Sequence, residues 1–301
     1  MDLQQLRYVV EVAAARSFTR AAERCLVTQS ALSHQIAALE RELGARLFVR
    51  SSREVRVTEA GESFLPHARA AVAAAEDARH AVGEASDRLS GVLRVGVIPT
   101  VAAVDVPRAL SAFCTRHPGV RVELTMGNSD DLATDVRQGS LDVALLGLRT
   151  GVVPRGVGHR EVGNGRHVAI LAPDHALAQH RRLHLRDLVE ETFADFPAGT
   201  SGRVQSDAAF TAAGLQRDVA FEATTAPLMI DLVAEGLAIA LLDPGTAARA
   251  GRRVRVRPLV DGPSRTEHVV WAAQAPRRVA RAFLDVLTPP AVRTEKGRAR
   301  S

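Results

Sequence analysis

The chain has 301 residues, 46% of them hydrophobic and 24% charged, and a formal net charge of +5. That length points to two or three domains, since single cores rarely grow past about 250–300 residues, and the modest positive excess is compatible with a nucleic-acid partner without demanding one. Cys25 and Cys114 lie far apart without CxxC or Cys/His ligand spacing, which removes support for a disulfide framework or a zinc site and leaves both as expected small core residues. No apolar stretch is long enough to span a bilayer and no charged, apolar, cleavable leader pattern opens the sequence, so a cytoplasmic location with no membrane partner and no cofactor or metal is expected.

Leu3, Leu6, Val10 and Ala13 mark a first amphipathic helix. From Ser17 to Leu43 the pattern predicts two short helices joined by a tight turn, with Ser17 and Thr28 as N-caps and Gly44 as the stop. In the second of these, Leu32, Ile36, Leu39 and Leu43 form a buried stripe, while Gln29, Ser30, Ser33 and His34 gather near its start and largely off that stripe. A polar helix start of this kind is how a chain presents a recognition helix to double-stranded DNA. Arg50, Ser51, Ser52 and Arg53, followed by Val55 and Val57 in alternation, predict a hairpin whose tip arginines suit phosphates or a minor groove. Nine arginines against six acids between Met1 and Thr58 put part of the positive excess on this module.

Through AAERCLVTQSALSHQIAALERELGARLFVR and the following VRVTEAG, the chain resembles the LysR-type transcriptional regulators. The resemblance fixes residue type and spacing over about the first sixty positions, and the layout continues it to about residue 290. It implies a winged helix-turn-helix over 1–58, with Gln29, Ser30, Ser33 and His34 facing the major groove and Arg50 and Arg53 at the wing. Position 34 is often arginine in the family, so His34 is a departure.

Over 59–90 the spacing predicts one long linker helix. Glu59 and Glu62 place negative charge in its first turn, and Phe64, Ala68, Ala71, Ala75, Ala78, Val82, Ala85 and Leu89 follow a heptad seam. The resemblance implies dimerisation through this helix, hence a homodimer or homotetramer.

From 91 to 290 short apolar strands alternate with helices. VLRVGVI, VRVELTM and LDVALLGL, then HVAILAP, VAFEA and LAIALL, predict two similar lobes with mostly parallel sheets, lobe 1 over about 91–160 and 267–290 and lobe 2 over about 161–266. The expected fold class is thus α/β and multidomain: a winged helix-turn-helix, a linker helix and a two-lobed effector domain of the periplasmic-binding-protein type. The basic stretch 291–301 is expected to be a disordered tail.

Ligands of such lobes collect beyond the strand ends, where helix starts point free N–H groups inward. Pro99 and Thr100, Asn128 and Ser129, Thr200 and Ser201, and Thr225 stand at such places. The resemblance implies that Thr100, Ser129, Pro197, Thr200 and Thr225 line an effector pocket. Hydroxyls and backbone N–H groups suit a small anionic or polar effector. Peroxide-sensing relatives use two regulatory-domain cysteines, where this chain has Cys114 alone. No G-x-S-x-G, Walker A, H-E-x-x-H or G-x-G-x-x-G element is present, and His159, His167 and His175 lack a clear nucleophile partner, so an enzyme is not expected. The expected function is a DNA-binding regulator, with a free-standing solute-binding protein as the competitor.

Overall fold

The structure is a computed structural model that describes residues 1–50, 55–83, 89–273 and 276–287. Three helices, α1 (Leu3–Ala15), α2 (Phe18–Arg24) and α3 (Gln29–Leu43), lead into a hairpin of β1 (Phe48–Arg50) and β2 (Val55–Val57). Local chemistry fixes each start: Asp2 and Gln5 form a reciprocal capping box on α1, and Ser17 and Thr28 accept from Arg20 and Ala31 amides on α2 and α3. Glu40 of α3 accepts from the Leu47 and Phe48 amides, so the recognition helix itself sets where the wing begins.

One core holds this module together, built on Val9, Val12, Phe18, Leu32, Ile36 and Leu39, with Phe18 edge-on to Phe48 at 5.9 Å. The buried row of α1 is Leu6, Val9 and Val12, one row round from the expected one, and Leu3 is exposed. Leu43 is likewise exposed.

The linker helix α4 (Glu59–Gly83) contains Pro66 and begins at Thr58, whose hydroxyl accepts from the Gly61 amide. Its seam is divided. Phe64 and Ala68 turn inward, Phe64 against the winged core, whereas Ala71 and Ala78 are exposed and Ala75 is half-buried. Leu89 packs on the core of lobe 1, and Val82 and Ala85 contribute no described side chain.

Lobe 1 is a sheet ordered β4-β3-β5-β12-β6, made of β3 (Ser90–Val97), β4 (Gly119–Met126), β5 (Val143–Arg149), β6 (Val157–Arg166) and β12 (Ser264–Ala272). Helices α5 (Val106–Arg116), α6 (Ser129–Arg137) and α10 (Arg278–Val286) cover it, with Phe113 and Phe283 in edge contact at 5.5 Å. Strands β3, β4 and β5 are parallel as expected, but β12 runs antiparallel to both β5 and β6. Strands that enter from the other lobe reverse direction, and β6 and β12 pair along their whole length. They keep residues 161–166 and 264–266 in the first sheet, so the crossovers fall near His167 and Pro263, where the His167 amide donates to the Pro263 carbonyl.

Lobe 2 centres on β7 (Val168–Leu171), antiparallel to β10 (Ala240–Leu242) and β11 (Arg255–Pro258). A parallel pair, β8 (Thr192–Asp195) and β9 (Asp218–Glu222), joins it through reciprocal bonds to Ile239. Alternation along β7 sends Ile170 to one core and Ala169 and Leu171 to the other, under α7 (Ser201–Ala212), α8 (Ala226–Ala234) and the short α9 (Pro244–Ala248).

Of the two cysteines, Cys25 packs partly against the winged core, while Cys114 is exposed on α5, contrary to expectation. The buried face of α5 carries Val106 and Phe113, and Cys114 is one residue beyond it.

A close approach in α4 yields a prediction. A Cβ at Gly61 would overlap the Leu47 carbonyl oxygen and stand 2.6 Å from Val57. Although alanine is the better helix former, Gly61→Ala is expected to destabilise the winged module by about 1–3 kcal/mol, read as a lower urea midpoint. An unchanged midpoint would mean that the wing yields without cost.

Candidate DNA-reading surface and interlobe cleft

At the start of α3, Gln29, Ser30 and His34 are exposed and Ser33 is half-buried. The Gln29 amide donates to the Ser33 hydroxyl at 2.9 Å, and the Thr28 and Ser30 hydroxyls share a bond at 3.2 Å. The polar cluster is thus pre-arranged and faces outward. Leu26, in the turn before it, holds φ +56 and is 92% exposed, a backbone conformation uncommon for leucine that tightens the turn and aims α3. Arg50 ends β1, and Arg53 and the tail 291–301 lie outside the described residues.

In the effector domain the helix starts face one another across the lobes. Asn128 caps α6 by accepting from the Asp130 and Asp131 amides, and Thr200 caps α7 while donating to the Pro197 carbonyl at 2.8 Å. Ser201 of lobe 2 donates to the Asp130 carboxylate of lobe 1 at 2.9 Å. Ser129, buried, bonds both the amide and the carbonyl of Gly147, and the Gln205 amide of lobe 2 donates to that same carbonyl at 3.0 Å. A third link runs from Arg249 to the Val101 carbonyl at 3.3 Å. Asn128, Ser129, Thr200 and Ser201 therefore lie near one another across the lobes. Thr225 is exposed at the start of α8 without a side-chain cap bond, and Pro99 is half-buried beside Thr100.

Thr100 belongs to a second, deeper cluster. Its hydroxyl accepts from Arg265 at 2.8 Å, and Arg265 also bonds the Thr100 carbonyl and the Glu267 carboxylate. Glu267 accepts from the Ala102 and Ala103 amides, and Asp243 stands 3.5 Å from the Arg265 guanidinium. A methyl group on Gly147 would lie 3.6 Å from Nη1 of Arg265, so the two clusters are continuous. Arg265, Glu267, Asp243 and Gln205 were missed in the sequence. The available signal was an opposite-charge pair two apart in the strand Ser264–Ala272, which puts both on one face. Arg149, by contrast, is exposed.

None of the three histidines singled out in the sequence serves a nucleophile. His175 accepts from the Leu177 amide and meets Glu191 at 3.2 Å, and His159 lies edge-on to His268 with ring centroids 5.9 Å apart. His167 is buried beside Arg265 and Asp243 with neither ring nitrogen bonded, and burial pulls its pKa down to about 4. Among the described residues no group of three or more His, Cys, Asp or Glu is arranged to hold a metal, and no helix is long and apolar enough to cross a membrane.

Residues 3–62 match the model of the bacterial regulatory helix-turn-helix protein of the lysR family, and residues 86–289 that of the LysR substrate binding domain. This chain belongs to the LysR family of transcriptional regulators. It is 32% identical over 266 residues to the transcriptional dual regulator GltC of Bacillus subtilis, covering 87% of each chain. It is also 32% identical to a probable hydrogen peroxide-inducible genes activator of Mycobacterium avium, over 83% of this chain and 80% of that one. A full-length OxyR variant from Pseudomonas aeruginosa superimposes with a TM-score of 0.77 at 25% identity, covering 95% of this chain and 94% of that one. Proteins of this family are transcriptional regulators, not enzymes.

His167 gives the cleft a defined acid response. The unfolded imidazole gains its proton near pH 6.5, the folded one only near 4, so stability is intact above 6.5 and falls as the pH drops between these values. The loss attributable to this residue is about 3 kcal/mol by pH 4. Urea melts at pH 7 and 4.5 should show a smaller acid loss for His167→Leu than for the native chain; equal losses would remove His167 as the cause.

Proposed function

We propose that this regulator reads promoter DNA in the cytoplasm as a homo-oligomer, through Gln29, Ser30, Ser33 and His34 in the major groove and Arg50 and Arg53 at the wing. A small polar effector bound between the lobes changes the lobe angle and thereby the arrangement of paired winged modules on DNA. The observation that carries this reading is the set of three interlobe hydrogen bonds, from Gln205, Ser201 and Arg249. Each requires the lobes to be close, so a ligand that competes for Gly147 or Asp130, or that bridges them, shifts that balance.

Lobe 1 is in turn tied to the linker helix of the same chain. Arg69 donates to the Gln138 carbonyl at 2.9 Å, and the Gln138 amide donates to Glu62 at 3.2 Å. A redox signal is the second reading, favoured by the peroxide-inducible relative. A single cysteine in the effector domain, Cys114, leaves no disulfide to be made there, so a bound small molecule is the better-supported signal.

Two measurements test this reading. Gln29→Ala and Ser33→Ala should each cost about 1–3 kcal/mol of discrimination between operator and random duplex, with non-specific affinity nearly unchanged. Equal loss on both duplexes would remove base reading from these positions. For assembly, the exposed Ala71 and Ala78 and half-buried Ala75 leave that face of α4 available to a partner helix. Ala75→Glu should weaken the dimer in sedimentation by placing like charges together at the seam, and an unchanged oligomer would move the interface elsewhere.

A further inference from the structure

Where the lobes cross over lies a cavity of about 210 Å³, bounded by the loop after β3, the Gly163–Gly165 end of β6, and Asp243, Arg265 and Glu267. Its three charged side chains are all 6–7% exposed. Glu267 is fully engaged by the Ala102 and Ala103 amides and by Arg265. Arg265 is divided between Thr100 and Glu267.

Asp243 is only half engaged. Its Oδ1 accepts from the Thr246 amide at 2.8 Å and so caps α9, whereas Oδ2 is shut off from solvent, carries no hydrogen bond, and stands 3.5 Å from Nη2 of Arg265. Two carboxylates against one guanidinium leave the wall one negative charge in excess, and buried His167 beside it stays neutral near pH 7. A buried carboxylate oxygen without a donor is an unmet demand that a ligand can fill. Meanwhile Asp130 already occupies the anion position at the facing starts of α6 and α7, through Ser201.

We propose that this cavity receives the ammonium head of a small amine-bearing metabolite, held by the excess negative charge that the Asp243 carboxylate gives its wall. This deepens, and rests on, the reading of the interlobe cleft as the effector site. The volume, below the roughly 300–1,000 Å³ of pockets for drug-sized ligands, restricts the ligand to a small molecule. A carboxylate head would meet the excess negative charge, and a neutral hydroxyl would leave that charge uncompensated.

Three four-carbon probes that differ only in the head group test the assignment: n-butylamine, 1-butanol and butyrate, titrated calorimetrically into the full-length protein. Butylamine should bind and the other two should not. Asp243→Asn, which keeps the Oδ1 cap, and Asp243→Ser, another good N-cap, should each weaken butylamine by about tenfold or more. Native operator affinity in both variants would show that the fold is kept. The proposal is overturned if butylamine does not bind the native protein, if butyrate binds more tightly, or if both variants bind butylamine as the native chain does. Preferred butyrate binding would sink the ammonium site and leave the effector reading standing. Butylamine that binds through Asp243 without changing the operator footprint would support the ammonium site and sink the effector reading.

Discussion

The buried guanidinium of Arg265 is what the two-lobed arrangement depends on. It sits at the first residues of β12, where the chain returns from lobe 2, and bonds both the carbonyl and the hydroxyl of Thr100, at the end of β3. Glu267 on the same strand face completes the pair and collects two backbone amides of the loop that follows Thr100. Asp243, from lobe 2, faces the same charge at 3.5 Å. One cation therefore fixes the loop of lobe 1, the return strand and the start of α9 relative to one another. Such a cluster adds little net stability, since desolvating the charges offsets most of their attraction, but removing the guanidinium would leave two carboxylates uncompensated in the interior. It therefore specifies geometry more than it adds stability, which suits a joint between moving parts.

The winged module was the most legible part of the sequence because its determinants are local. Ser17, Thr28 and Gly44 cap or stop the helices they were expected to, and Leu32, Ile36 and Leu39 are fully buried. The failures come where partners are distant. The row of α1 that faces the core is chosen by α2, α3 and α4 together, and the sequence offers two adjacent rows of similar hydrophobicity. The heptad seam is real as a period, yet its first residues serve the chain's own module, a distinction that periodicity alone cannot make.

The cleft was legible in outline and not in depth. Asn128 and Thr200 were read as helix starts, and they are, but their side chains are spent on their own backbones. Ser129 is turned to Gly147. The groups that remain demanding, Asp243 and the bonds around Arg265, lie on strands and turns brought together over more than 160 residues of chain. Charged residues in strands read as solvent-facing until the antiparallel pairing of β12 between β5 and β6 is known, because that pairing is what buries them.

The brace between α4 and lobe 1 decides which part of the chain the proposed closure would move. With Arg69 seated on the Gln138 carbonyl and Gln138 on Glu62, the linker helix is braced against lobe 1, while lobe 2 joins lobe 1 through the crossover strands and the hydrogen bonds from Gln205, Ser201 and Arg249. The closure proposed above would therefore leave the reading head's own footing undisturbed and sweep the outer surface of lobe 2 through space, like a flag on a fixed pole. In the proposed assembly on DNA, that stroke would be delivered to whatever lobe 2 touches, so neighbouring copies would feel the signal before the chain's own grip on the groove does.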